Sequence, residues 1–103
     1  LIGYTSEARQ HVRDLIAHYR KKLRPEAVRN LNIALARAED AIARGTARSR
    51  AFPASYRDLA MPGRAWIKEG IYWIAFRQTV PPVIIAVFWE QAQIDQRFSG
   101  DAQ

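Results

Sequence analysis

The side chains best equipped for chemistry in this 103-residue chain are its cations. Lys and Arg number 16 against 10 Asp and Glu, a formal net charge of +6, and all but Lys21, Lys22 and Lys68 are Arg. Arg presents a planar five-donor fork that fits phosphate and carboxylate. Such a balance suits an acidic partner, either nucleic acid or an acidic protein, although ordinary solvated surface would use the same residues. Most of the cations fall into three groups. Arg64, Lys68 and Arg77 lie in β-like segments. Arg9, Arg13, Arg20 and Arg24 share one flank of a helical stretch, within about 60° of wheel angle. Arg44, Arg48, Arg50 and Arg57 follow one another in a segment with no acid from Ala41 to Arg57, a basic loop able to meet DNA or an acidic tail. His11, Asp14 and His18 are metal-ligating types on one helix flank. No further strong ligand is close in sequence, so they read as a solvated flank, and neither metal nor cofactor is expected.

Length and composition bound what can position these groups. A chain of 103 residues is one domain, residues 1–103, with a single small core. Apolar content of 49% suits a globular fold. Cysteine is absent, which removes a disulfide framework and is compatible with a reducing cytosol, so a cytoplasmic location is expected. No apolar run nears the roughly 20 residues of a membrane span, and no signal-peptide pattern is visible.

Periodicity then predicts the elements. Leu1 to Thr5 reads as an opening strand. Thr5 or Ser6 caps a first helix with Glu7 in its first turn. Ala8, Val12, Leu15, Ile16, Tyr19 and Leu23 form its apolar face. Pro25 ends that helix or opens the next. Val28, Leu31, Leu35, Ala38 and Ile42 make the seam of a second helix, closed by Gly45. Residues 45–64 read as loop, with anchors at Phe52, Tyr56, Leu59 and Met61 and a possible short strand at Arg57 to Ala60. Strands are predicted at Ala65 to Glu69, Ile71 to Arg77 and Val83 to Trp89, turning at Gly70 and at the two prolines. The last strand is nearly all apolar, as for one covered on both faces. Ile94 and Phe98 are spaced to bury together in a short helical turn.

The order is strand, two helices, three strands. The helical seam has only the sheet to pack on, so a two-layer α+β fold follows: an N-terminal strand and an antiparallel helical hairpin on a small antiparallel β-sheet. On the middle strand Tyr72, Ile74 and Phe76 share one face, and Ile71, Trp73 and Ala75 the other. One face meets the helices. The other, aromatic and apolar, is expected to be a docking surface that a partner covers.

The segments "YTSEARQHVRDLIAHYRKKL", "PEAVRNLNIALARAEDAI", "GIYWIAFR" and "VIIAVFWEQAQID" resemble, nearly end to end, the RelE/ParE superfamily of type II toxins. Phe76–Arg77 stands where the family places an aromatic–Arg pair. The resemblance implies a cognate antitoxin, ParD-like or similar, that wraps the hairpin and the sheet, with Arg9, Arg13, Arg20, Tyr72 and Trp73 as its candidate contacts. It implies one of two activities. RelE-like members cleave messenger RNA in the ribosome without a metal; ParE-like members inhibit DNA gyrase by binding, and meet DNA only through the antitoxin complex.

Metal-free RNA cleavage needs a group to activate the 2′-hydroxyl, cations for the developing charge and a proton donor for the leaving oxygen. Where nuclease members carry Arg on the middle strand, this chain has Trp73. Where a second Arg follows the last strand, it has Glu90 to Gln93. Phe98 stands in place of a C-terminal Tyr. The ParE-like branch is therefore the better fit, with Arg64, Lys68, Arg77, Trp89 and Glu90 as candidate target contacts and no catalytic residue. The departure at Trp89 to Gln93 also touches the tail motif of ParE-like members. A RelE-like ribosome-dependent interferase is the alternative.

Overall fold

A computed structural model describes residues 2–99. The Thr5 hydroxyl accepts the Ala8 N–H at 3.1 Å and starts helix α1, Ser6–Lys21, with Glu7 in the first turn. Pro25 takes the first position of α2, Pro25–Arg44, where its missing N–H costs nothing. Gly45 ends α2 with φ +72°, a left-handed conformation that suits glycine. Leu23 departs from the predicted apolar face. The helix stops at Lys21, and Leu23 turns outward at φ 55° and 86% exposure within the link to α2.

Four strands form one sheet: β1 (Gly3–Tyr4), β2 (Arg64–Glu69), β3 (Tyr72–Arg77) and β4 (Val83–Trp89), in the order β1-β4-β3-β2. The part of the predicted opening strand at Leu1 lies outside the described residues. A two-residue turn, Gly70–Ile71, joins β2 to β3, and Gly70 supplies the positive φ, +60°, that such hairpins favour. β2, β3 and β4 pair antiparallel, but β1 runs parallel to β4, with Gly3 opposite Val83 and Tyr4 opposite Ile84. The sheet is thus mixed, not antiparallel. β2 and β4 point the same way, and the helical crossover returns the chain to β2 in the direction of β1. The short strand proposed at Arg57 to Ala60 is instead a 3₁₀ turn, Arg57–Leu59, closed by N–H bonds from Leu59 and Ala60 back three residues.

Both faces of the sheet are buried. On the inner face α1 packs on β4 and α2 on β2 and β3. Leu31, Leu35 and Ile42 meet Ile67, Ile74, Phe76, Ile84 and Val87 there. The outer face carries Trp66, Trp73, Ala75, Ala86 and Phe88. A β-bulge adds Ile85: Ala75 faces Ala86, Phe76 faces Ile84, and the extra residue joins the outer cluster. This face was expected to be open for a partner. The chain covers it itself. Helix α3 (Ile94–Arg97) and the residue after it bring Ile94 and Phe98 down onto it, and the long loop adds Tyr56 and Leu59. The Phe98 ring stands edge-on to Trp66 at 5.4 Å and to Phe88 at 6.2 Å. An apolar face of this extent is a liability when bare, and Tyr56, Leu59, Ile94 and Phe98 of the anchors seen in the sequence close it, whereas Met61 is 50% exposed. Among the described residues no helix is long and apolar enough to cross a membrane.

Phe98→Ala is expected to lower unfolding stability by about 3 kcal/mol in urea titration, the cost of truncating a buried aromatic ring. Tryptophan emission should shift red in the folded variant as Trp66 gains water.

Candidate functional site

Strand alternation gathers the cations of β2 and β3. Arg64 pairs with Arg77 and Lys68 with Trp73, so all four lie on the outer face beside Trp66. The Lys68 ammonium sits 2.8 Å from the Glu90 carboxylate and 5.7 Å from the Trp73 ring centre. Glu90 is placed by its own N–H, which donates to the Ile71 carbonyl at 2.8 Å. The Arg64 guanidinium lies over Phe98 at 4.8 Å and donates to the Leu59 carbonyl at 3.2 Å. Burial, and then the neighbouring Arg77, hold the Arg64 pKa below its usual value. Four of the five candidate target contacts, Arg64, Lys68, Arg77 and Glu90, are thus brought to one face. Trp89 is not. It pairs with Tyr72 on the helix side, 42% exposed, and lines a groove of about 680 Å³ with His11, His18 and Arg97.

The candidate antitoxin contacts separate more sharply. Arg9, Arg13 and Arg20 are exposed along α1, and Arg13 donates to the Gln10 side chain at 2.8 Å. Tyr72 and Trp73 are corrected as contact residues, being only 2% and 8% exposed. The Tyr72 hydroxyl meets that of Tyr19 at 2.5 Å inside the inner core, and burial, followed by that hydrogen bond, raises its pKa. Trp73 lies beneath Arg50 and Lys68.

Two features are placed differently from their reading in the sequence. The first is the basic loop, which is anchored. Arg50 and Trp66 exchange two backbone hydrogen bonds of 2.8 Å at the β2 edge. The Arg50 guanidinium lies 5.1 Å from the Phe52 ring and 5.7 Å from that of Trp73, with Arg57 on Phe52 at 5.6 Å. Arg57, Phe52, Arg50, Trp73 and Lys68 therefore alternate cation and ring across the outer face. The acid-free run of Arg marks this loop as basic, but its seating on Trp73 depends on a residue distant in sequence. The second is His11. Its side chain was assigned to a solvated flank with Asp14 and His18, but it is only 13% exposed. Its Nδ1 accepts the Val87 N–H at 3.2 Å, and its ring lies 4.4 Å from that of Phe88. Asp14 instead accepts from Gln10 at 2.7 Å. Among the described residues no three His, Cys, Asp or Glu are placed to hold a metal ion.

Chemically, the outer face is a set of cations on aromatic supports, with one carboxylate already bound to Lys68. Such a row of cations attracts negative charge. Proton transfer at neutral pH works best with a group that titrates near it. The Trp66 Nε1–H is buried without an acceptor among the described residues.

Lys68→Ala is expected to change stability by no more than about 1 kcal/mol, since the pair with Glu90 is partly solvated. Thermal or urea unfolding measures it. Compared with known proteins, the chain matches no family model, no curated protein and no solved structure.

Proposed function

We propose that this chain is the toxin component of a type II toxin–antitoxin pair, ParE-like, acting in the cytoplasm by binding. Its target is DNA gyrase and its neutraliser a ParD-like acidic antitoxin. The observation that carries this reading is the state of the outer-face cations. Lys68 is bound to Glu90, and Arg64 is stacked on Phe98 under the chain's own C-terminal segment. Cations so engaged suit a binding surface better than a phosphodiester cleavage centre. The element order, β1, α1, α2, β2, β3, β4, α3, is that of an α+β domain, and the toxin-like reading of it rests on the resemblance in sequence. The antitoxin contact falls on the exposed row Arg9, Arg13 and Arg20 of α1, where charge steers an acidic partner. Tyr72 and Trp73 have no part in it.

The second reading is a RelE-like ribosome-dependent messenger RNA interferase. It is favoured by the convergence of Arg64, Lys68 and Arg77 on one face. Under that reading these cations hold the scissile phosphate.

Two experiments separate the readings. Induced alone in bacteria, the chain is expected to arrest growth with loss of plasmid supercoiling, while cell-free translation continues. Cleavage of messenger RNA at the ribosomal A site, with supercoiling intact, selects the interferase. Normal growth without an antitoxin contradicts both. Reversing Arg9, Arg13 and Arg20 to Glu should slow antitoxin association at low salt by about tenfold or more, leaving the fold intact by circular dichroism.

A further inference from the structure

His11 occupies a point where three parts of the chain meet. Among the described residues β1 pairs with β4 only at Val83 and Ile84. Beyond that point the edge of β4 still has backbone groups that need partners. The Val87 N–H finds one in His11 Nδ1, at 3.2 Å. An Nδ1 that accepts has its lone pair exposed, so the single ring proton sits on Nε2. Nε2 in turn lies 3.4 Å from Glu7 Oε2, one turn earlier on α1. The same carboxylate accepts the Ser99 N–H at 3.1 Å and the Ser99 hydroxyl at 2.7 Å. The start of α1, the open stretch of β4 and the end of the C-terminal segment are therefore tied through one imidazole and one carboxylate.

We propose that Glu7, His11 and Ser99 form a proton-sensitive latch, which fastens the β4 edge and the C-terminal segment to α1 and opens when His11 gains a second proton. A doubly protonated ring has no acceptor. Its Nδ1–H then points at the Val87 N–H, donor against donor. The ring leaves the β4 edge and turns to Glu7, which exchanges Ser99 for the imidazolium. The segment carrying Ile94 and Phe98 loses its end tie, and the cover over Trp66 loosens.

The charges around the ring act in both directions. Glu7 and Asp14, on α1, favour the imidazolium; Arg97, on α3, opposes it; burial opposes it most, and the net direction is a lowered pKa. In the unfolded chain His11 titrates near the ordinary value of about 6.5. The latch is therefore fully stabilising above that pH, and its contribution is lost as pH falls from there through the lower folded value. The latch does not depend on the toxin reading.

The test is NMR of the full chain against pH, following the His11 ring and the amide protection of Val87 and Ser99. His11 should titrate below about 6.5. Over the same interval Val87 protection should fall about fivefold to tenfold, the worth of one hydrogen bond, with Ser99 following. In His11→Asn the Oδ1 stands near the Nδ1 position and does not titrate, so Val87 protection should become flat with pH. Glu7→Gln removes the nearest negative charge and should move the His11 titration further down. A His11 that titrates at or above the free value overturns the proposal. So does Val87 protection that ignores the His11 titration in the unaltered chain, or a His11 titration unmoved by Glu7→Gln.

Discussion

The β3–β4 ribbon is apolar on both sides, and the rest of the molecule is arranged to cover both. Residues 72–76 and 84–88 are buried throughout. Each large apolar side chain removed from water contributes roughly 1.5–3 kcal/mol, which a domain this small cannot forgo. The helical hairpin covers one face. A 3₁₀ turn, a long loop and a short terminal helix cover the other. That second cover uses few residues, so each counts: Ile94 and Phe98 from the tail, Tyr56 and Leu59 from the loop.

Covering the outer face also decides where the charges go. Arg64, Lys68 and Arg77 alternate with buried residues on β2 and β3, so their heads emerge at the rim of an aromatic cluster. There they lie over rings: Arg64 on Phe98, Lys68 and Arg50 on Trp73. Ring faces stabilise these cations and hold them in place. A fixed row of positive charge on an otherwise closed surface is a means of recognising an acidic partner. The Arg row on α1 is a second one, on the opposite layer. The two rows suit different contacts, as the proposed pairing with a target and an antitoxin would need.

Much of the architecture was legible because it is written locally. The Thr5 cap, Pro25 at a helix start, Gly45 at a helix end and the Gly70 turn each act within a few residues. The alternation of Tyr72, Ile74 and Phe76 against Trp73 and Ala75 placed the two faces correctly. What remained hidden depends on distant partners. A two-residue strand has no pattern of its own, so the parallel pairing of β1 could not be seen. Ile94 and Phe98 were expected to bury together, but nothing nearby says that the sheet's outer face is their destination. That gap left Trp73 assigned to a partner that the chain itself replaces; Tyr72 is buried on the inner face against Tyr19 of α1. His11 has the same character. A histidine on a helix flank looks alike whether water or a strand edge faces it, and Val87 is 76 residues away.

The three tryptophans provide the most direct measurement of double coverage. Trp66 is fully buried, Trp73 is 8% exposed and Trp89 is 42% exposed. Brief hydroxyl-radical footprinting of the isolated chain, read by mass spectrometry, should oxidise Trp89 strongly and leave Trp66 and Trp73 protected. Oxidation of Trp66 and Trp73 at rates equal to that of Trp89 would show an outer face open to solvent, contrary to a chain that closes both sides of its own sheet.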